Sequence, residues 1–511
     1  MPSRPSATCV LALDQGTTSS RAILFDHRGT PVAVAQEEFP QYARSEAGPD
    51  GADLGIVEHD PEDIWQTQLS CARRVLESSG VAADRVAAIG ITNQRETTIL
   101  WEKETGRPIA PAIVWQSRVS APMCTRLKAA GVEPEVRRRT GLVLDPYFSA
   151  TKIVHLLETI PGLRGRCERG EVLFGTVDSF LIWRLTGGRV HATDVTNASR
   201  TLLFDIGTLA WSDDLCRIFG VPRCMLPEVR PSSGSFGETE PALLGAAVPI
   251  LGCAGDQQAA AFGQGVERPG DAKNTYGTGA FLMFSTGDRP VVSDSGLLTT
   301  PGCGSPPGPH YCLEGSVFIA GALVGWLRDG LGLIEKAADV ELLATSVADN
   351  GGVTIVPALT GLGAPYWDPA ARGLIIGLSR GTSRGHVARA ALEAIALSVA
   401  DVVECMQRDS GVALRHLRVD GGASDNDLLM QIQADVLGLV VERPAVVETT
   451  ALGAALLAGL AAGFFADATA VADARRVERR FEPRITAEER RRMLATWRDA
   501  VERSKGWARA R

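Results

Sequence analysis

Nowhere in the 511 residues does a lysine directly follow a glycine, which excludes the lysine-bearing phosphate loop of the P-loop nucleotidases. His-Arg-Asp and Asp-Phe-Gly are also missing, so the chain lacks the catalytic-loop base and the metal ligand of a protein kinase. The ten cysteines form no Cys-x-x-Cys pair and the seven histidines no His-Glu-x-x-His, so a tightly held zinc or iron is not expected. A chain of this length needs no disulfide staples either. Lysine and arginine are scattered in short groups under a net charge of −8, and no basic footprint for nucleic acid is present. Met1 to Ala12 carry one short apolar run, Val10 to Leu13, too brief for the core of a signal peptide. These exclusions leave a globular chain of two or more domains suited to a reducing cytoplasm.

Long apolar runs are scarce as well. Thr449 to Ala466 holds 18 residues without a charge, at the lower edge of a membrane-span length. It is made of Ala, Gly and Leu with only Phe464 and Phe465 as bulky anchors, a mixture that predicts a helix packed tightly inside the protein. Arg475 to Arg511, mostly charged, reads as a helix lying on the surface.

What is present is a set of glycine-rich, carboxylate-bearing segments: Leu13 to Arg21, Gly255 to Gln258 with Asn274 to Gly279, and Val419 to Ala423. Each follows or brackets an apolar run that reads as a strand. Each therefore presents backbone N–H groups and hydroxyls at a strand end, where anions are commonly bound. Far apart in one chain, they fit a split nucleotide site and phosphoryl transfer.

The surrounding pattern is a repeat. Val10 to Leu13, Ala22 to Phe25 and Val32 to Glu38 read as a meander of three strands. Asp60-Pro61-Glu62-Asp63 then supplies an N-cap, an N1 proline and an acidic first turn, opening a helix with Ile64, Trp65, Leu69, Ala72, Val75 and Leu76 inward and Gly80 past its end. A buried strand, Val86 to Ile91, follows, and Arg95-Glu96 come directly after its carboxyl end, where ligands bind in open sheets. The same signals return as Asp271 to Tyr276, the turn Gly277-Thr278-Gly279, and Ala280 to Phe284. Two such halves facing each other place Asp14 and Asp256 in one cleft.

Four further strings complete the pattern: Thr92 to Thr98, Asp145 to Ser149, Thr193 to Arg200 and Gly361 to Pro369. With them the chain resembles the glycerol kinases of the FGGY carbohydrate-kinase family over nearly its whole length. The resemblance implies an α/β fold of two ribonuclease-H-like domains, of the actin and hexokinase type, in which mixed sheets and helices flank an interdomain cleft. Residues 1–264 and 265–511 are the two domains expected. It also implies phosphorylation of glycerol to sn-glycerol 3-phosphate at the expense of ATP and Mg²⁺, with Asp256 as general base and Asp14 and Asp256 holding the metal through water. Arg95, Glu96, Tyr147, Asp256 and Gln257 match the polyol-binding positions, and Trp115 and Phe281 the aromatic positions that cover its carbon chain. Thr17, Thr18, Ser19, Arg21 and Thr278 match phosphate positions, and Gly321, Gly325, Gly422 and Asn426 adenosine positions. A homodimer or homotetramer, without stable membrane insertion, is the assembly implied.

Two departures stand out. Gly325 replaces a glutamine that many relatives carry near the adenine, and Pro231 to Gly237 lacks both the Gly-Lys-Gly-Gly-x-Arg loop for fructose 1,6-bisphosphate and the histidine phosphorylated in others. At this stage two rivals stand beside glycerol phosphorylation: a kinase for another small polyol or ketose, and a non-catalytic nucleotide switch. Gly381-Thr382-Ser383-Arg384-Gly385 also fits the Gly-x-Ser-x-Gly pattern of hydrolases, but only His386 and His416 follow it.

Overall fold

The computed structural model describes residues 7–48, 53–303 and 308–510. Residues 1–6 of the N-terminal stretch and residue 511 lie outside them. The first sheet grows from the expected meander: β1 (Cys9–Gln15), β2 (Ser19–Phe25) and β3 (Pro31–Glu38) run antiparallel. Helix α1 (Pro61–Ser79) starts where Asp60 accepts the Glu62 N–H at 2.9 Å and stops at Gly80, whose φ of 68° is the left-handed conformation glycine adopts without a Cβ clash. Its apolar face covers the sheet and returns the chain to β4 (Val86–Asn93), buried at all eight positions. β4 lies parallel to β1, and β5 (Ile250–Gly255) parallel to β4, giving the order β5-β4-β1-β2-β3.

The second sheet repeats this plan and extends it. It contains β6 (Asp271–Tyr276), β7 (Ala280–Gly287), β8 (Leu298–Pro301), β9 (Tyr311–Val317), β10 (His416–Asp420), β11 (Val441–Pro444) and β12 (Val477–Phe481), in the order β8-β9-β7-β6-β10-β11-β12. The antiparallel set β6, β7 and β9 followed by parallel β10 and β11 mirrors the first sheet, and β8 and β12 are added at its edges. The C-terminal stretch is thus a strand before it is a helix, a correction to the reading of Arg475 to Arg511 as helical. The edge strand is exposed at four of five positions, and more of the charges of the stretch lie in the helix that follows, Ala487–Ser504, than in the strand.

The helices used below are α2 (Asp256–Gly263), which follows β5 without a loop, then α3 (Gly321–Asp329), α4 (Arg384–Ser410), α5 (Asp427–Leu437), α6 (Thr449–Ala461) and α7 (Ala487–Ser504). α6 is the uncharged segment singled out above. It belongs to the second half by sequence, yet it packs on β1, β4 and β5 of the first sheet and on α2. The approach is so close that a Cβ on Gly453 would sit 1.9 Å from the Ala259 carbonyl oxygen. A helix covered on every side has no face that needs charge, which accounts for its composition. Among the described residues, no helix is long and apolar enough to cross a membrane.

Between β4 and β5 the chain builds an additional body, residues 94–249, around its own apolar cluster that includes Leu100, Val136, Phe148, Ile153, Phe174 and Phe204. The meander pattern gave no sign of it. It carries Trp115 and Tyr147.

Candidate active site

The floor of the site is made by three neighbouring parallel strands that end together. Register pairs Asp14 with Thr92 and places Gln15, Asn93 and Gly255 side by side on β1, β4 and β5. Asp14, Arg95 and Asp256 therefore leave the sheet at one edge, the carboxyl end at which open sheets bind ligands. The Gly16-Thr17-Thr18 turn is held by Gly16 N–H to Ser19 O at 3.0 Å and by Gln94, whose backbone and side-chain nitrogens reach Gln15 O and Gly16 O at 2.7 and 3.1 Å. Trp115 Nε1 donates to Thr17 Oγ1 at 3.1 Å, tying the inserted body to this turn. Thr18 is exposed, and Thr17 and Ser19 are half-buried.

Around the floor lies a buried charge network that joins the two halves. Arg95, 3% exposed, gives Nη1 and Nη2 to the two carboxylate oxygens of Glu314 on β9 at 2.7 and 3.0 Å, and Nη1 also reaches Gln258 Oε1 at 3.1 Å. Its Nε lies 3.2 Å from Asp256 Oδ1. Fully buried Arg200 binds Glu96 Oε1 at 2.6 Å and Glu314 Oε1 at 3.2 Å, and its Nη1 has no hydrogen-bond partner. Burial alone would lift the Glu314 pKa, but the two guanidinium groups outweigh it and hold the carboxyl at about 2. Glu96 shares Arg200 and Arg95 but is raised by burial. Its backbone, at φ 60°, turns its carbonyl to Ser149 Oγ and Lys152 Nζ at 3.0 and 3.2 Å. That left-handed conformation is uncommon for a residue with a Cβ and is held here by buried bonds on both sides.

Asp256 is the first residue of α2, and its Oδ1 accepts the Gln257 N–H at 2.6 Å. Burial raises its pKa, opposed by Arg95, the Gln257 N–H and Lys273. Asp14 is pushed up to about 6, chiefly by burial, with Arg21 opposing and Asp256 adding repulsion. Two carboxylates that destabilise each other's charge fit a divalent cation, and Mg²⁺ characteristically takes one or two protein carboxylates and keeps its waters. Among the described residues, Asp178, Asp194 and Cys253 form a tighter buried group, but their acceptors are already used by Thr176, Thr193, Thr196, Asn197 and Ser232. That group is a hydrogen-bonded core.

On the second sheet, the β6–β7 turn and the start of α3 are locked together. Gly277 O accepts from Gly321 N at 3.0 Å, and Thr278 O from Ala320 N and Ala322 N at 2.9 and 3.0 Å. A Cβ on Gly321 would come within 2.5 Å of Gly277 O, so only glycine permits this contact. Gly421, at φ 83°, approaches Tyr276 equally closely, which brings the Gly421-Gly422 turn beside the same loop. Asn426 caps α5 by accepting the Leu429 N–H at 2.8 Å. Gly325 has open space where a side chain would stand. Arg21, placed by sequence among the phosphate positions, has its guanidinium paired with Glu448 just before α6. Fully buried Lys273 donates to Gln257 Oε1 and, at 2.8 Å, to Thr275 Oγ1.

A cavity of ≈380 Å³ adjoins Glu314 and is walled by Trp115, Tyr147, Phe281, Phe318 and Trp367. Trp115 and Tyr147 meet edge to face at 5.6 Å between ring centroids. The arrangement is a small apolar chamber with charged groups at one side, suited to a ligand with thin CH faces and several hydroxyls.

The model of the N-terminal domain of the FGGY family of carbohydrate kinases matches residues 9–263, and that of the C-terminal domain matches residues 272–462. The chain belongs to the FGGY family of carbohydrate kinases. The glycerol kinase of Symbiobacterium thermophilum is 56% identical over 499 residues, 98% of this chain and 99% of that one. Glycerol kinase 2 of Thermotoga maritima is 55% identical with the same coverage. The crystal structure of Plasmodium falciparum glycerol kinase with ADP superposes with a TM-score of 0.91 at 34% identity, covering 97% of this chain and 98% of that one. Xylulose kinase from Rhodospirillum rubrum, 24% identical with a TM-score of 0.82, shares the fold.

In this FGGY kinase, sequence reading placed Arg95, Glu96, Tyr147, Asp256 and Gln257 in the substrate pocket but missed Glu314 and the role of Arg200. Arg200 stood at the end of a quoted string, Thr193 to Arg200, where its position was a usable signal. Glu314 sits in an ordinary β-strand sequence and had none. Ser383, the central serine of the hydrolase-like pattern, caps α4 instead: it receives the His386 N–H and its own N–H goes to His386 Nδ1 at 3.0 Å.

Proposed function

We propose that this carbohydrate kinase transfers the terminal phosphoryl group of ATP to a terminal hydroxyl of glycerol in a reducing cytoplasm, giving sn-glycerol 3-phosphate and ADP. The observation that carries this reading is the end-to-end identity, 56% over 499 residues, with a relative named glycerol kinase. Ten free thiols, nine of them buried, suit the compartment.

Arg95 retains one Nη2 hydrogen after serving Glu314, and with the Glu96 carboxylate it orders adjacent hydroxyls of the polyol. Trp115 and Phe281 cover the carbon chain and Tyr147 and Gln257 add polar contacts. Asp256 accepts the proton of the attacking hydroxyl as the new O–P bond forms and the bond to the leaving diphosphate breaks. Its Oδ1 is fixed by the Gln257 N–H, leaving Oδ2 for that proton. Asp14 and Asp256 would hold Mg²⁺ through water, and when bound it would offset charge on the phosphates. Thr17, Thr18, Ser19, Arg21 and Thr278 contact the phosphates, and Gly321, Gly325, Gly422 and Asn426 line the adenosine site.

The deciding assay follows ADP release with ATP and Mg²⁺ against glycerol, dihydroxyacetone, erythritol, xylulose and no acceptor. Glycerol-selective turnover is expected. Preference for another acceptor would reassign the substrate, and hydrolysis indifferent to acceptor would point to a nucleotide switch. In the same assay Trp115→Ala is expected to raise KM for glycerol about tenfold, the effect of roughly 1.4 kcal/mol of lost apolar contact, with a smaller change in kcat. Trp115→Phe keeps an aromatic ring, though a smaller one, and loses the bond to Thr17, and its KM should stay within about threefold. An unchanged KM in the alanine variant would remove Trp115 from the pocket.

A further inference from the structure

Away from the active site, a cavity of ≈490 Å³ opens where the end of α2, the start of α6 and the β10-β11-β12 edge of the second sheet meet. Six arginines line it: Arg268, Arg415, Arg418, Arg475, Arg476 and Arg480, against three carboxylates, Glu267, Asp271 and Glu442. Those acids are already shared out. Glu267 pairs with Arg475 at 2.7 Å, Glu442 is divided between Arg418 and Arg480 at 3.3 and 3.0 Å, and Asp271 lies 3.6 Å from His416. The guanidinium groups of Arg268 and Arg415 have no ion-pair partner among the described residues.

Two like charges are pressed together at the bottom. The Nη1 atoms of Arg475 and Arg418 lie 3.1 and 3.3 Å from the point that a Cβ on Gly265 would occupy, so both heads share one small volume. Arg475 Nε is buried without a partner. Burial lowers the Arg475 pKa although Glu267 opposes it, and Arg418 adds repulsion. Gln264, 3% exposed, also lines the cavity, and neither its amide oxygen nor its nitrogen has a hydrogen-bond partner. Orphaned buried polar groups call for an occupant.

We propose that this cavity is a binding site for a compact polyanion, a small phosphorylated molecule carrying at least two negative charges. The paired Arg418 and Arg475 forks match phosphate oxygens, Gln264 adds a neutral donor, and Arg268 and Arg415 close the rim. The volume falls within the range of small-ligand sites. The site is separate from the kinase reading and is tested by binding alone, so either can fail without the other.

The probe is inorganic pyrophosphate, titrated by calorimetry in Mg²⁺-free buffer into the full chain saturated with ADP and glycerol, which occupies the phosphate positions of the cleft. One pyrophosphate per chain is expected, weakening with added salt. Arg268→Glu/Arg415→Glu should weaken it at least tenfold, and Arg268→Ala/Arg415→Ala by a lesser factor, with melting temperature and kcat unchanged in both. Absence of binding to the ADP-saturated protein, or equal affinity in the variants, would overturn the proposal.

Discussion

Asp256→Asn is expected to lower kcat by at least about 10²-fold, the range for removal of a general base, while the melting temperature stays near that of the parent. The asparagine has the same shape, its Oδ1 still accepts the Gln257 N–H, and Arg95 keeps both bonds to Glu314. The negative charge is lost, and with it the proton acceptor and the ion pair to Arg95 Nε. Because burial holds the Asp256 pKa above its ordinary 3.8, the acid limb of the kcat profile should lie above that value and vanish from the residual activity of the variant. Turnover within tenfold of the parent would dismiss Asp256 as the base and leave it a role in holding metal or hydroxyl.

Glu314→Ala is expected to have the largest effect on stability. Among the described residues this carboxylate is the one hydrogen-bonded to both Arg95 and Arg200, which lie inside the protein, and its removal leaves the two guanidinium groups with Glu96 and Asp256 as their remaining carboxylates. Breaking a buried pair in this way costs about 3–5 kcal/mol. Glu314→Gln keeps volume and an acceptor and should cost less. The pH dependence has a fixed sign: the folded pKa of about 2 lies below the ordinary 4.5, so the stabilisation is complete above about pH 5 and is lost as pH falls toward 2. Urea midpoints of parent and Glu314→Gln should therefore diverge at pH 7 and converge near pH 2.5. Parallel curves across that interval would show that the Glu314 charge adds nothing. KM for glycerol should rise in both variants, since Arg95 is no longer held.

Much of the candidate site was legible because the groups proposed for it are local in sequence. Asp14, Thr17 and Thr18 lie in one strand-turn-strand, Asp256 directly follows a strand, and Arg95-Glu96 follow another. In each case a handful of consecutive residues states both the turn and the functional groups. The charge network was legible only by half. Arg95 and Glu96 read as a pair facing the polyol, yet Arg95 spends three hydrogen bonds on Glu314 and Gln258 and Glu96 is bound by Arg200. A partner 219 positions away leaves no periodicity or spacing to read.

The amino-acid order alone was enough for the elements and their sense: a meander, the capped helix α1, a second meander near residue 271, and a helix from Thr449 destined for the interior. Capping, alternation and backbone freedom at glycine act over a few residues, so they are written where they operate. Which surfaces those elements would cover was settled only in the folded molecule. α6 lies on the first sheet although it follows the second, the inserted body between β4 and β5 brings Trp115 to Thr17, and Glu314 joins Arg95 to Arg200. Burial and ion pairing act between whatever surfaces the chain brings together, and neither has a direction along the sequence.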